Sequence, residues 1–154
     1  MTEVSRVFVD SNILVYATFE DYEIELHKEC LAQLERYHSG GTELFISGQV
    51  IREYWAQATR LTIHGERRPI PWVLGHLERF RSMMQELDES AEVRDRLVSL
   101  VEIYAVRAQD VHDTNIVATM LAYRIDTVYS NDGDFDRYVE NEKISFVKPQ
   151  VSTI

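Results

Sequence analysis

Apolar residues fall into two kinds of run along this chain. Val7-Phe8-Val9 and Leu44-Phe45-Ile46 are short and unbroken by polar positions, as in strands covered on both faces. Elsewhere apolar residues recur at helical spacing. Ile24, Cys30, Leu31, Leu34 and Tyr37 form one stripe, and Ile51, Tyr54 or Trp55, Ala58 and Leu61 a second. Val73, Leu74, Leu77, Phe80, Met84 and Leu87 form a third, and Val93, Leu97, Leu100 and Tyr104 a fourth. Core packing accounts for these stripes.

The pattern predicts a strand over 6–10, a short helix over 12–18 and a helix over 21–38 stopped by Gly40-Gly41. A strand over 44–47 and a helix over 49–63 follow, then a polar loop over 64–70. Pro71 opens the next helix, a favoured place for proline. Helices over 91–106 and 111–124, a strand over 127–130, a turn over 131–134 and a strand over 144–147 complete the chain. Strands alternating with helices imply α/β architecture: three layers, α/β/α, around a mainly parallel sheet of four to five strands. The two helices between 71 and 106 have no strand between them in this reading and are expected to pair as a hairpin at one edge. No repeat or linker divides residues 1–154, so one domain is expected.

Bulk composition changes this picture little. With 154 residues, 45% hydrophobic and 27% charged, the chain reads as an ordinary globular domain. Cys30 is the lone cysteine, so an internal disulfide is excluded and an oxidising compartment is not implied. The N-terminus lacks a basic region followed by an apolar stretch, and no apolar run approaches the ~20 residues of a membrane span. A cytoplasmic location is expected. The net charge of −10 argues against broad attraction to nucleic acid. The acidic surplus, however, lies toward the two ends. The balanced middle of the chain carries Arg52, Arg60, Arg67, Arg68, Arg79 and Arg81.

Four acids stand where packing does not require them. Asp10 ends the first strand, and Glu53 lies in the helix after the second. Asp113 opens a later helix in Asp-Val-His112-Asp113-Thr-Asn, and Asp132 follows a strand in Tyr-Ser130-Asn-Asp132-Gly-Asp134-Phe. Taken singly, each has an ordinary role: helix cap, first-turn acid, solvated helix acid, turn residue. In a doubly wound sheet, though, the carboxyl ends of strands and the amino ends of the following helices share one edge, where ligands bind. Acids crowded there repel until protons or a cation relieve them. An all-oxygen set favours Mg²⁺ or Mn²⁺ over Zn²⁺.

These residues resemble a known family. Val-Phe-Val-Asp10-Ser-Asn12-Ile-Leu-Val-Tyr, Ile-Arg-Glu53-Tyr-Trp, His112-Asp113-Thr-Asn-Ile-Val-Ala and Tyr-Ser130-Asn-Asp132-Gly-Asp134-Phe, in this order, are similar to PIN domains. Within that group they are similar to the short VapC-type toxin ribonucleases of toxin–antitoxin pairs. The resemblance implies that Asp10, Glu53, Asp113 and Asp132 form an acidic catalytic pocket, with Asp10, Asp113 and Asp132 holding Mg²⁺ or Mn²⁺. It also implies that Asn12 steadies Asp10 and that Ser130 stands beside the last acid; Asp134 is a further candidate. A homodimer and a cognate antitoxin are implied as well.

The expected function is therefore metal-dependent hydrolysis of RNA phosphodiesters, with Arg52, Arg60, Arg67 and Arg68 as candidate phosphate contacts. Two alternatives stay open: an inactive PIN module that binds RNA or protein, and a DNA-directed nuclease with the same site. Ser11 where many members have Thr, and Thr114 where many have a small residue, are departures that remove no carboxylate.

Overall fold

The computed structural model describes residues 5–151. Five strands, β1 (Arg6–Val9), β2 (Glu43–Ser47), β5 (Gln85–Leu87), β6 (Thr127–Tyr129) and β7 (Ser145–Val147), form one sheet in the order β5-β2-β1-β6-β7. All four pairings are parallel. β1 is central because it is apolar on both faces: Val7, Phe8 and Val9 are buried, with Phe8 in register with Phe45 on one side and Val128 on the other.

The helices are α1 (Ser11–Thr18), α2 (Ile24–Ser39), α3 (Gly48–Arg60), α4 (Ile70–Met83), α5 (Ala91–Ile103), α6 (Asp110–Ala122) and α7 (Asp136–Glu142), the last preceded by a 3₁₀ turn at Gly133–Phe135. The chain moves outward from β1 to β2 to β5, then crosses to β6 and β7. With right-handed crossovers, this puts α1 to α4 on one face and α5 to α7 on the other. The helix contacts agree: α1 packs on α2 and α3, α3 on α4, and α5 on α6. The three-layer α/β/α architecture is thus present, with five strands.

Several local expectations are corrected. α4 does not run on to Leu87, and the helices α4 and α5 are not consecutive. Gln85–Leu87 is a strand, paired with β2 through Phe45↔Gln85 and Ser47↔Leu87. Phe80, Met84 and Leu87 keep helical spacing, which hides the break. As an edge strand β5 also carries two exposed polar residues, Gln85 and Glu86, so it lacks the apolar signature of β1. Leu74, placed on the buried stripe, is exposed.

α3 ends at Arg60, not Ile63. Residues Thr62–Ile63 (β3) pair antiparallel with Glu66–Arg67 (β4), so the polar loop is a small hairpin. Its two central residues, His64 (φ 55) and Gly65 (φ 79), are both left-handed, as a type I′ turn requires. α7 was absent from the sequence reading. Its seven residues bury only Tyr138, too few for a period to show.

Candidate active site

Because every strand of the main sheet is parallel, all carboxyl ends lie on one edge. Asp10 follows β1, α3 follows β2, and Ser130 and Asp132 follow β6. α6 runs antiparallel to the strands, away from this edge, so its amino end holds Asp113 there. One open hollow of about 430 Å³ is lined by Asp10, Glu53, Asp113 and Asp132 together with Asn12, Arg52 and Arg60. The structure therefore brings all four sequence-derived acids to one place.

Asp10 is the buried wall, 4% exposed. Its carboxylate accepts from the Ser11 amide at 2.7 Å, which caps α1, and from the Ser130 hydroxyl at 2.7 Å. The ordinary capping role and the placement at the hollow are thus both real. Asn12 donates to Asp10 at 3.3 Å and to Ser130 at 3.2 Å, and its carbonyl accepts from the Asn131 amide at 3.1 Å. Asn12 and Ser130 fasten the loop after β6 to the end of β1. Burial raises the Asp10 carboxyl to about 6 against the bonds from Ser130 and Ser11, and the charges of Glu53 and Asp132 push the same way as burial.

Glu53 is held by two neighbours. The Ser11 hydroxyl donates to it at 3.3 Å and the Gln49 amide at 3.2 Å. Gln49 also donates to the His112 carbonyl at 2.7 Å and accepts from Asn115 at 2.8 Å. It therefore links the glutamate on α3 to the turn of α6 that carries Asp113. The sequence reading gave neither Ser11 nor Gln49 a role in holding Glu53. The i, i+4 spacing of Gln49 and Glu53 on one helix face was the available signal.

Asp113, Asp132 and Asp134 each place a carboxylate oxygen within 4.8 Å of the others. The tight group thus contains Asp134 where the sequence reading put Asp10. Asp132 accepts from the Asp134 amide at 3.0 Å, which turns the loop so that both side chains face α6. Thr114 and Tyr138 share a 2.6 Å hydrogen bond, both buried, and lock α6 against α7 behind the group. Burial raises the Asp113 carboxyl well above the carboxylate range, and its hydrogen bond with Asp132 and the charges of Asp132, Asp10 and Asp134 add to this. The charge of Asp132 is the main cause that raises Asp134.

A divalent cation fits this donor set. Three carboxylates converge with oxygen as the donor type, and their mutual repulsion is the kind that a hard cation relieves. Arg52 and Arg60 lie on the α3 side of the hollow. Arg67 and Arg68 do not line it. Arg68 stands 3.9 Å from Asp21 and over the Trp72 ring at 5.1 Å, and Arg67 is on the exposed β4 hairpin.

Solved structures share this arrangement of elements. VapBC2 from Rickettsia felis bound to a promoter DNA fragment is 17% identical, with a TM-score of 0.64 over 94% of this chain and 99% of that one. VapC20 from Mycobacterium tuberculosis, a toxin that cleaves the sarcin-ricin loop, is 17% identical with a TM-score of 0.64 over 85% and 93%. A toxin–antitoxin complex from Klebsiella pneumoniae is 20% identical with a TM-score of 0.62 over 95% and 99%. At such identities the likeness is one of fold. No curated protein matches the sequence. The profile of the PIN domain matches residues 7–141, nearly the whole chain and every residue of the acidic hollow. The chain belongs to the PIN domain family.

Proposed function

We propose that the chain is a single-domain, metal-dependent endoribonuclease and the toxin of a type II toxin–antitoxin pair. The observation that carries this reading is the hollow itself: acids from four separate elements line it, together with two arginines of α3. In this reading, Asp113, Asp132 and Asp134 hold Mg²⁺ or Mn²⁺, with Asp10 behind them. When bound, the ion neutralises charge on the phosphoryl oxygens and lowers the pKa of its water. Arg52 and Arg60 seat the phosphates of the strand. Glu53, oriented by Gln49 and Ser11, takes the proton from the water that attacks phosphorus. The bond from phosphorus to the leaving ribose oxygen then breaks, and that oxygen takes up a proton.

The family supports nuclease chemistry, and the complexes among its structural relatives support an antitoxin as partner. A homodimer acting in the cytoplasm belongs to the same proposal. No helix among the described residues is long and apolar enough to cross a membrane.

The test is cleavage of labelled single-stranded RNA and DNA by purified protein with Mg²⁺ or Mn²⁺, against chelator and Asp113→Asn. RNA cleavage that needs the ion and is lost in the variant is expected. Cleavage of DNA alone would replace the substrate class. Equal cleavage with and without the ion, or by the variant, overturns the mechanism.

A further inference from the structure

A second cavity, of about 280 Å³, opens beside the acidic hollow and shares Asn12, Gln57 and Arg60 with it. That volume lies at the small end for ligand sites. Its wall is aromatic. Tyr16 and Tyr22 lie with their rings nearly parallel, 12° apart and 6.1 Å between centroids. Asn131, next to the acid loop, donates to the Tyr16 hydroxyl at 3.4 Å and so ties this wall to the site. Tyr22 is 44% exposed, so part of its ring is open to a ligand in the cavity.

The polar groups at the junction have capacity to spare. On the face of α3 that lines the two cavities, Gln49 and Glu53 are hydrogen-bonded to each other. Among the described residues, the Gln57 amide and the Arg60 guanidinium have no side-chain partner. An amide offers both a donor and an acceptor, and a guanidinium offers a fork for phosphate.

We infer that this cavity holds one nucleobase of the RNA strand, next to the phosphate seated in the hollow. This inference rests on the nuclease reading above. The base stacks on Tyr22, its polar edge meets the Gln57 amide, and Arg60 spans from this cavity to the adjoining phosphate. A phosphate site alone has no use for an aromatic wall, whereas stacking accepts any base and holds the strand in place. The cavity is thus a positioning subsite that fixes where the backbone crosses the acids.

The test measures dissociation constants by fluorescence anisotropy for labelled RNA decamers of uridine and of adenosine, and for an abasic ribose-phosphate decamer. Ca²⁺ stands in for Mg²⁺ so that the strand stays whole. Tyr22→Ala should weaken the base-bearing decamers at least about fivefold, the lower end for loss of one stacking contact. It should leave the abasic decamer unchanged, and Tyr22→Trp should keep near wild-type affinity for all three. Equal weakening of all decamers, or none, overturns the subsite, as does failure of the wild type to prefer bases over the abasic strand. The same samples with Mn²⁺ separate the two proposals. Cleavage without any Tyr22 effect removes the base site alone, and base-dependent binding without cleavage removes the nuclease reading alone.

Discussion

The Ser130 hydroxyl donates to the Asp10 carboxylate at 2.7 Å, across a sequence separation of 120 residues. The same oxygen accepts from the Asp132 amide at 3.0 Å, so one side chain sets the spacing of two acids. Ser130 is wholly buried, and no water can replace it without a cavity. Ser130→Ala should therefore cost about 1–3 kcal/mol, the range for leaving a buried polar group unsatisfied. Denaturant unfolding of wild type and variant measures this, and loss of cleavage should accompany it. A variant as stable and active as wild type would show that the bond does not organise the site.

Asp10 also sets a pH dependence. Its carboxyl lies near 6 in the fold against an ordinary value of 3.8, so the folded chain binds this proton more readily than the unfolded one. In the metal-free protein, the group therefore adds stability fully below about pH 3.8 and loses it as pH rises through about 6. Asp10→Asn should flatten the stability slope between those values. A bound divalent ion acts the other way, since it needs ionised acids. Mn²⁺ should raise the Tm strongly at pH 7.5 and weakly at pH 5, by thermal melts with and without the ion. Equal shifts at both pH values would mean that these acids do not bind it.

Much of this site was legible in the sequence for one geometric reason. A strand buried on both faces must be apolar throughout, so Val7-Phe8-Val9 announces itself and makes Asp10 stand out. In a parallel sheet, residues just past strand ends meet whatever their separation, which joins Asp10, Glu53, Asp113 and Asp132. Where the sequence failed, the signal was missing. β5 is an edge strand of three residues led by Gln85 and Glu86, and β3 and β4 have two residues each. Ser11 and Gln49 carry no charge of their own and act by holding Glu53. Asp134, a further candidate in the sequence, joins Asp113 and Asp132 across a 3₁₀ turn that a Gly-Asp-Phe tripeptide does not advertise.

Gln49 gives a sharper test of positioning than the acids do. It is buried, and it ties Glu53 to the carbonyl of His112. Gln49→Leu keeps roughly the volume and removes the tether. Glu53 then keeps only the Ser11 hydroxyl, and small displacements of a reacting group are costly, up to ~100-fold per ångström. We expect kcat to fall at least about tenfold, with KM for RNA nearly unchanged, since Glu53 does not seat the phosphates. Steady-state kinetics on a labelled oligonucleotide reads both. A change confined to KM would place Gln49 in substrate binding instead.

The arginines separate by position, and salt dependence can show it. Arg52 and Arg60 line the hollow, while Arg68 is engaged by Asp21 and Trp72 and Arg67 lies on the hairpin. Each phosphate contact on a single strand contributes ~0.7 to the slope of log affinity against log salt. Arg52→Ala with Arg60→Ala should therefore lower that slope by roughly 1.4 and weaken RNA binding at low salt. Arg67→Ala with Arg68→Ala should leave the slope unchanged. Anisotropy titrations across salt concentrations distinguish the pairs. A slope that falls only in the second pair would move the path of the strand off the α3 side of the hollow and onto the hairpin. The base cavity, which meets the hollow at Gln57 and Arg60, would lose its neighbour as well.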